Sequence, residues 1–449
     1  MSIIILVGFA AITLWSLVAH RFERSGVAGP AALAAVGALI VLVDVPGFEE
    51  AIDSSVALHV VELVLAVLLF VDACEVKGGV FGGEGRMLSR LVLIALPLSL
   101  ILVVLSGLLL LPELNAAVLF VVACVIMPTD FAPAVALLRS PRIPPRVRQI
   151  LNVESGYNDG LISPLFGMSL AVVVALPALA EVLEYGSTAT EAEEDGLMRN
   201  IADFLIAFLG AVPATVLAIG VGAALGGVLG LLTRWAAERG YTRASGIRYV
   251  MLLTPLLAFG LATGLPAMTI PGFTANGFVA AFVAGVVFRF ARTRGSEERS
   301  IAHEELMLVE EAGTLSANFV WFILGGAATS VIARGVDLRL LLIAALALTL
   351  FRVLPVLLAM LGSSVSVPDR MLIGFIGPRG TATIVFGLMA FNKLPNENGL
   401  SYQVLTVMVL TVVGSILLHG VAAPLVLRKT RFSVGGAPRR ASGIVRDEV

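Results

Sequence analysis

From Ile150 to Ala180 the chain is apolar except for ESGYNDG, Glu154–Gly160. In a helix each residue turns by about 100°, so Glu154, Ser155, Asn158 and Asp159 fall within an arc of roughly 140°. They make one polar face, with Gly156 and Gly160 expected on the other side at a spacing that lets a neighbouring helix come close. Charged side chains at membrane depth are costly, and they face either a partner or a water-filled path. A buried structural ion pair is the plain alternative for the cluster.

Two other stretches place single charges inside breaks. In VIMPTDFAPAVALL, Pro128 and Pro133 flank Thr129 and Asp130. A proline cannot donate to the carbonyl four residues before it, so the Cys124 and Thr129 carbonyls are freed. In GFIGPRGTAT, Gly374, Gly377, Pro378 and Gly380 surround Arg379. Unwound backbone at membrane depth survives only where it is buried in protein or lines a cavity. Breaking two antiparallel helices at one depth brings like ends together, so Asp130 is expected to offset the N-terminal ends and Arg379 the C-terminal ends. Arg352 also lies within a span, and Glu154 is its expected partner. That pair reads as scaffold, holding Asn158 and Asp159 in place without cycling protons itself. Asp72, near the end of the third span, either lines the path or sits at the interface. Carboxylate, hydroxyl and backbone carbonyl oxygens are hard donors that suit an alkali cation better than a transition metal.

The elements that must carry these residues are membrane helices. With 58% apolar and 14% charged residues in 449, and a mean hydropathy of +0.99, the chain reads as an all-α polytopic membrane protein. Apolar runs long enough to span lie near 2–20, 27–44, 56–74, 88–111, 116–139, 148–178, 200–234, 247–265, 271–290, 304–333, 338–361, 371–392 and 401–427, which is thirteen transmembrane helices. The N-terminus is expected outside and the C-terminus in the cytoplasm. Of the 30 Lys and Arg, Arg199, Arg334, Arg339 and Lys393 then fall outside, Arg352 and Arg379 fall within spans, and the rest fall inside, as the positive-inside rule requires. Spans one to six match eight to thirteen as two inverted six-helix repeats, with the seventh as linker. That sets broken span 5 across from broken span 12, the pattern of a transporter site. A short basic cytoplasmic tail, 429–449, follows.

Composition also excludes classes. A net charge of −2 and the lack of a basic arm beyond the short tail give no reason for a nucleic-acid partner, and no phosphate-binding loop announces a nucleotide. The two cysteines, Cys74 and Cys124, make no disulfide framework. HEELM at His303 is not a zinc-protease motif, so an intramembrane hydrolase is disfavoured. His303 and His419 could respond to pH, but a structural role is the commoner one. A carrier of another small solute coupled to protons, and a channel, stay as rivals. No cofactor is expected.

ESGYNDG, TDFAP, GPRGTAT and the SILLHG run from Ser415, in this topology, resemble the NhaP-type branch of the monovalent cation:proton antiporters, which includes the eukaryotic sodium/proton exchangers. The resemblance covers about residues 1–428. It implies exchange of Na⁺, with Li⁺ or K⁺ as rivals, for H⁺ by a homodimer in the plasma (inner) membrane. An interface part (about 1–87 and 197–335) would support a moving core (about 88–180 and 336–428). In the family the aspartate of the Asn-Asp pair binds cation or proton in competition, and the preceding asparagine goes with electroneutral exchange. Carried over, Asp159 is the carrier, Ser155 and Thr129 join it as Na⁺ ligands, Asn158 and Asp130 are neighbours, and Asp72 is an acid across the path. Phe131 stands where relatives often have proline, and Asp72 where many have glutamate.

Overall fold

The computed structural model describes residues 3–24, 27–75, 84–138, 140, 142–185, 191–269, 274–293, 301–395 and 399–423. The tail 429–449 lies outside them. The described residues form an all-helical bundle: α1 (Ile3–Arg24), α2 (Gly29–Val41), α3 (Val45–Ile52), α4 (Ser55–Glu75), α5 (Gly85–Leu110), α6 (Ala116–Ile126), α7 (Pro145–Tyr185) and α8 (Glu191–Glu238). Then come α9 (Ala244–Thr269), α10 (Gly277–Thr293), α11 (His303–Arg334), α12 (Leu338–Ala359), α13 (Val367–Phe375), α14 (Thr381–Lys393) and α15 (Leu400–Ala422). Among the described residues eight helices (α4, α5, α7, α8, α9, α11, α12 and α15) are long and apolar enough to cross a membrane.

Several helices differ from straight spans. The stretch expected as one span near 27–44 ends early, and α2 and α3 form a pair bent by 120°. The bend follows from Asp44, whose side chain caps α3 through the Gly47 N–H, and from a proline in the first turn of α3. By contrast, the run near 304–333 is one continuous helix, α11, as expected. Within α12 the helix breaks at Thr349, inside the run expected as one span near 338–361.

Close packing relies on small residues, as it must where no water drives helices together. A Cβ at Gly222, Gly226 or Gly230 of α8 would strike the α10 backbone at Ala280, Ala284 or Phe288. Gly37 of α2 and Gly325 of α11 do the same service for each other's helices, against Phe322 and Ala34.

The expected breaks are present. After α6, capped at its start by the Asn115 side chain, the chain leaves the helix at Met127 and re-forms a short one at Val135–Leu138. α13 stops at Phe375, and α14 starts at Thr381 after Gly380. The two unwound segments meet: the Asp130 N–H donates to the Pro378 carbonyl at 2.9 Å.

Candidate functional site

Arg379 is fully buried and spends its guanidinium on loose carbonyls. It donates to Met127 O, to Pro128 O at 3.1 Å and to Ala347 O at 3.1 Å. The first two close the C-terminal end of α6, and the third serves α12 just before its break. Asp130 works at the other polarity. Its Oδ2 accepts the Thr381 N–H at 2.6 Å, at the start of α14, and its Oδ1 accepts the Ala132 N–H at 2.8 Å. Each charge therefore faces the helix end of opposite sign. Gly380 is needed at the crossing, since a Cβ there would press on the Asp130 carboxylate.

Glu154 of α7 and Arg352 of α12 make a two-point ion pair, 2.5 and 2.7 Å long, with both side chains almost wholly buried. The same guanidinium reaches the Ile373 carbonyl at 3.5 Å near the end of α13. Glu154 also accepts a long bond, 3.4 Å, from Asn158 Nδ2. That amide nitrogen donates to Thr129 Oγ1 at 2.9 Å, and Ser155 Oγ donates to the Thr129 carbonyl at 2.6 Å. Pro133 had freed that carbonyl, and Ser155 satisfies it. One turn on, Pro164 frees the Gly160 carbonyl and Ser163 Oγ takes it at 3.1 Å.

Asp159 differs from its neighbours. It is 5% exposed, forms no ion pair among the described residues, and its Oδ1 is buried without a hydrogen-bond partner. The Asn158 Oδ1 is likewise unpartnered. The terminal nitrogens of Arg352 and Arg379 donate to Glu154 and to backbone carbonyls, and among the described residues neither arginine forms an ion pair with Asp159.

Asp159 lines a cavity of roughly 1370 Å³. Pro145, Arg148, Gln149, Asn152, Ser155, Gly156 and Asp159 line it along one stripe of α7, the helical spacing of a single face. Exposure falls along that stripe from Gln149 and Asn152 to buried Asp159, so the mouth is at the end bearing Arg148. Beyond Asp159, Ile162 is fully buried and Phe166 packs on Phe386 with ring centroids 4.9 Å apart. Asp72, Asp130, Phe131 and Thr381 line the same cavity. Gly156 sits in its wall, where a Cβ would stand 3.5 Å from the Asp72 Cβ. This corrects the expectation that both glycines turn away from the acids: on the helical wheel Gly156 is only about 60° from Asp159.

The structure thus brings Thr129, Ser155 and Asn158 into one hydrogen-bonded group, pairs Glu154 with Arg352, and sets Asp72 and Asp159 in one cavity. It also shows a brace that sequence reasoning missed. On α15, Ser415 Oγ accepts the Arg379 N–H at 2.7 Å, and His419 Nε2 bonds the Phe375 carbonyl at 3.0 Å. Both backbone groups are left over by the α13–α14 break. Ser and His four residues apart in an apolar span were the available signal.

Two interrupted membrane helices cross here, and a buried carboxylate with an unpartnered oxygen lines a cavity beside them, the arrangement of a membrane transporter site. The sodium/hydrogen exchanger transmembrane family matches residues 7–429, so the chain belongs to that family. It is a multi-pass membrane protein of this exchanger family. Among solved structures, that of the sodium proton antiporter MjNhaP1 from Methanocaldococcus jannaschii at pH 8 is similar, with a TM-score of 0.69 and 18% identity over 93% of this chain and 98% of that one. The electron-microscopy structure of MjNhaP1 is similar with a TM-score of 0.66 and 17% identity, over 98% and 100% of the two chains. At such identities the likeness concerns the fold. No curated protein matches the chain.

Proposed function

We propose that the protein exchanges Na⁺ for H⁺ one for one, with the two ions competing for Asp159. The observation that carries this reading is a buried carboxylate oxygen with no partner, lining a cavity, in a cluster whose other acid, Glu154, is already paired with Arg352. A Na⁺ would take oxygens from Asp159, from the Ser155 hydroxyl and from Thr129, and Asp72 would favour its approach. These are hard donors of the kind alkali cations prefer. A proton neutralises the same carboxylate without needing the other oxygens.

Coupling then follows from electrostatics. An empty, ionised Asp159 is costly to seal inside the membrane. Only the proton-loaded or cation-loaded core moves across, so each crossing in one direction is matched by the other ion in return. Glu154 is committed to Arg352 in a buried two-point ion pair, which leaves Asp159 as the carrying carboxylate and supports electroneutral exchange.

Thirteen crossings in two inverted repeats, related through the breaks at Asp130 and Arg379, fit this mechanism. In it the core (about 88–180 and 336–428) moves against the interface part (about 1–87 and 197–335) of a homodimer. With the N-terminus outside and the arginine-rich loops in the cytoplasm of a cell whose plasma membrane holds the protein, the cavity faces inward. The task would be sodium export and pH homeostasis.

The test is Na⁺-driven pH change in everted vesicles. Asp159→Asn, folded and inserted, is expected to show none, and retained exchange rejects the assignment. Parallel Li⁺ and K⁺ series decide the cargo.

A further inference from the structure

Polar contacts from α14 and α15 to the helices across the bundle lie at the end opposite the cavity mouth. Asn392 Nδ2 donates to the Ile52 carbonyl of α3 at 2.8 Å. Next to it, Lys393 Nζ pairs with Glu62 Oε1 of α4 at 2.8 Å. On α15, Tyr402 receives Arg334 of α11: the guanidinium carbon stands 3.9 Å from the ring centroid, and Nη2 donates to the phenol oxygen at 3.0 Å.

Both partners of this last contact are fixed from behind. Glu49 grips Arg334 at 2.6 and 3.1 Å, holding it to the α3 side. Phe391 meets the Tyr402 ring edge-on at 5.1 Å, holding it to the α14 side. At the mouth end the charged pairs have another character. Arg146 of α7 binds Glu84, just before α5, at 2.6 Å, and Arg292 of α10 binds Glu305 of α11 at 2.6 Å, so neither pair involves α14 or α15.

For Asp159 to open toward the other side, the helices at the mouth must close and those at the opposite end must part. Contacts made by Asn392, Lys393 and Tyr402 are then broken. We propose that these three residues form a latch that holds the state with its cavity open at the arginine-rich end, and that they set the balance between the two access states. The inference rests on the exchange mechanism above for its two states. Interactions present in one state and absent in the other are what shift such a balance. An ion pair with one partner largely buried, a stacked cation and an amide–carbonyl bond are each modest, and together they act on one moving boundary.

The test uses the full chain in vesicles that present the arginine-rich loops to the bath. Asn152→Cys, on the exposed cavity wall, reports the open state through its rate of reaction with a membrane-impermeant maleimide. The chain without this reporter gives the background from Cys74 and Cys124.

Lys393→Gln and Tyr402→Leu are each expected to slow labelling, and their combination to slow it by about twofold or more. Lys393→Glu should slow it too, and adding Glu62→Lys should restore the rate, which a general packing defect would not allow. Unchanged labelling in Lys393→Gln, or a charge reversal that brings no recovery, overturns the latch. Should Tyr402→Leu fail to fold, the surface substitution and the reversal still decide. Labelling does not depend on which ion is carried, so loss of the exchange assignment in the Asp159→Asn assay is a separate outcome.

Discussion

Glu154 and Arg352 stand 198 residues apart in the chain and meet as a buried two-point ion pair, 2.5 and 2.7 Å long. Breaking such a pair from one side strands a charge. Glu154→Gln or Arg352→Leu is expected to destabilise the fold by about 3–5 kcal/mol, and the double replacement by less than either single change. Thermal unfolding in one detergent measures all three. Additive losses would mean the pair is not coupled.

Arg379 reaches carbonyls of Met127, Pro128 and Ala347. A lysine keeps the charge but not the planar fork. Arg379→Lys should therefore lower exchange by about tenfold or more, through loss of two charge-assisted bonds of roughly 1.5–3 kcal/mol each. Initial rates of Na⁺-driven pH change provide the number.

Ser155→Ala leaves the Thr129 carbonyl without its 2.6 Å donor and removes one oxygen from the proposed cation site. An unmade buried bond costs about 1–3 kcal/mol. The half-saturating Na⁺ concentration should rise about fivefold or more, with the maximal rate less affected. An unchanged half-saturation would remove Ser155 from the site.

Competition at one carboxylate has a definite pH signature. Where the proton occupies Asp159, each unit fall in pH should raise the half-saturating Na⁺ concentration by about tenfold, while the maximal rate holds. A half-saturation that ignores pH would place cation and proton on different groups.

Asp72 lines the cavity facing Gly156. Asp72→Glu lengthens the acid by one methylene and moves its charge within the cavity that Asp159 also lines. The expected result is a changed ratio of Na⁺ to Li⁺ half-saturation, with exchange itself retained. The same ratio in both proteins would leave Asp72 without a part in ion choice.

Much of the site was legible because its signals are local. A polar cluster in an apolar run, prolines beside Asp130 and glycines around Arg379 each violate the usual composition of a membrane helix, and each violation lies within ten residues. The breaks at Asp130 and Arg379 follow directly from missing backbone donors. The bend between α2 and α3 was written in Asp44 and Pro46, yet its signal was weaker than the apolar run around it. The break at Thr349 has no proline or glycine to mark it, and its Ala347 carbonyl is met by a guanidinium from a distant helix.

By itself the sequence determined that the chain lives in a membrane, where it is interrupted, and which ionisable groups the bilayer must tolerate, because hydropathy and proline chemistry act within a few turns. Tertiary structure decided which of those groups satisfy one another. Glu154, Asp130, Arg352 and Arg379 are all engaged, while Asp159 keeps an unpartnered oxygen and lines a cavity. That difference depends on how far apart side chains from separate helices come to lie, a distance that no local rule of spacing contains.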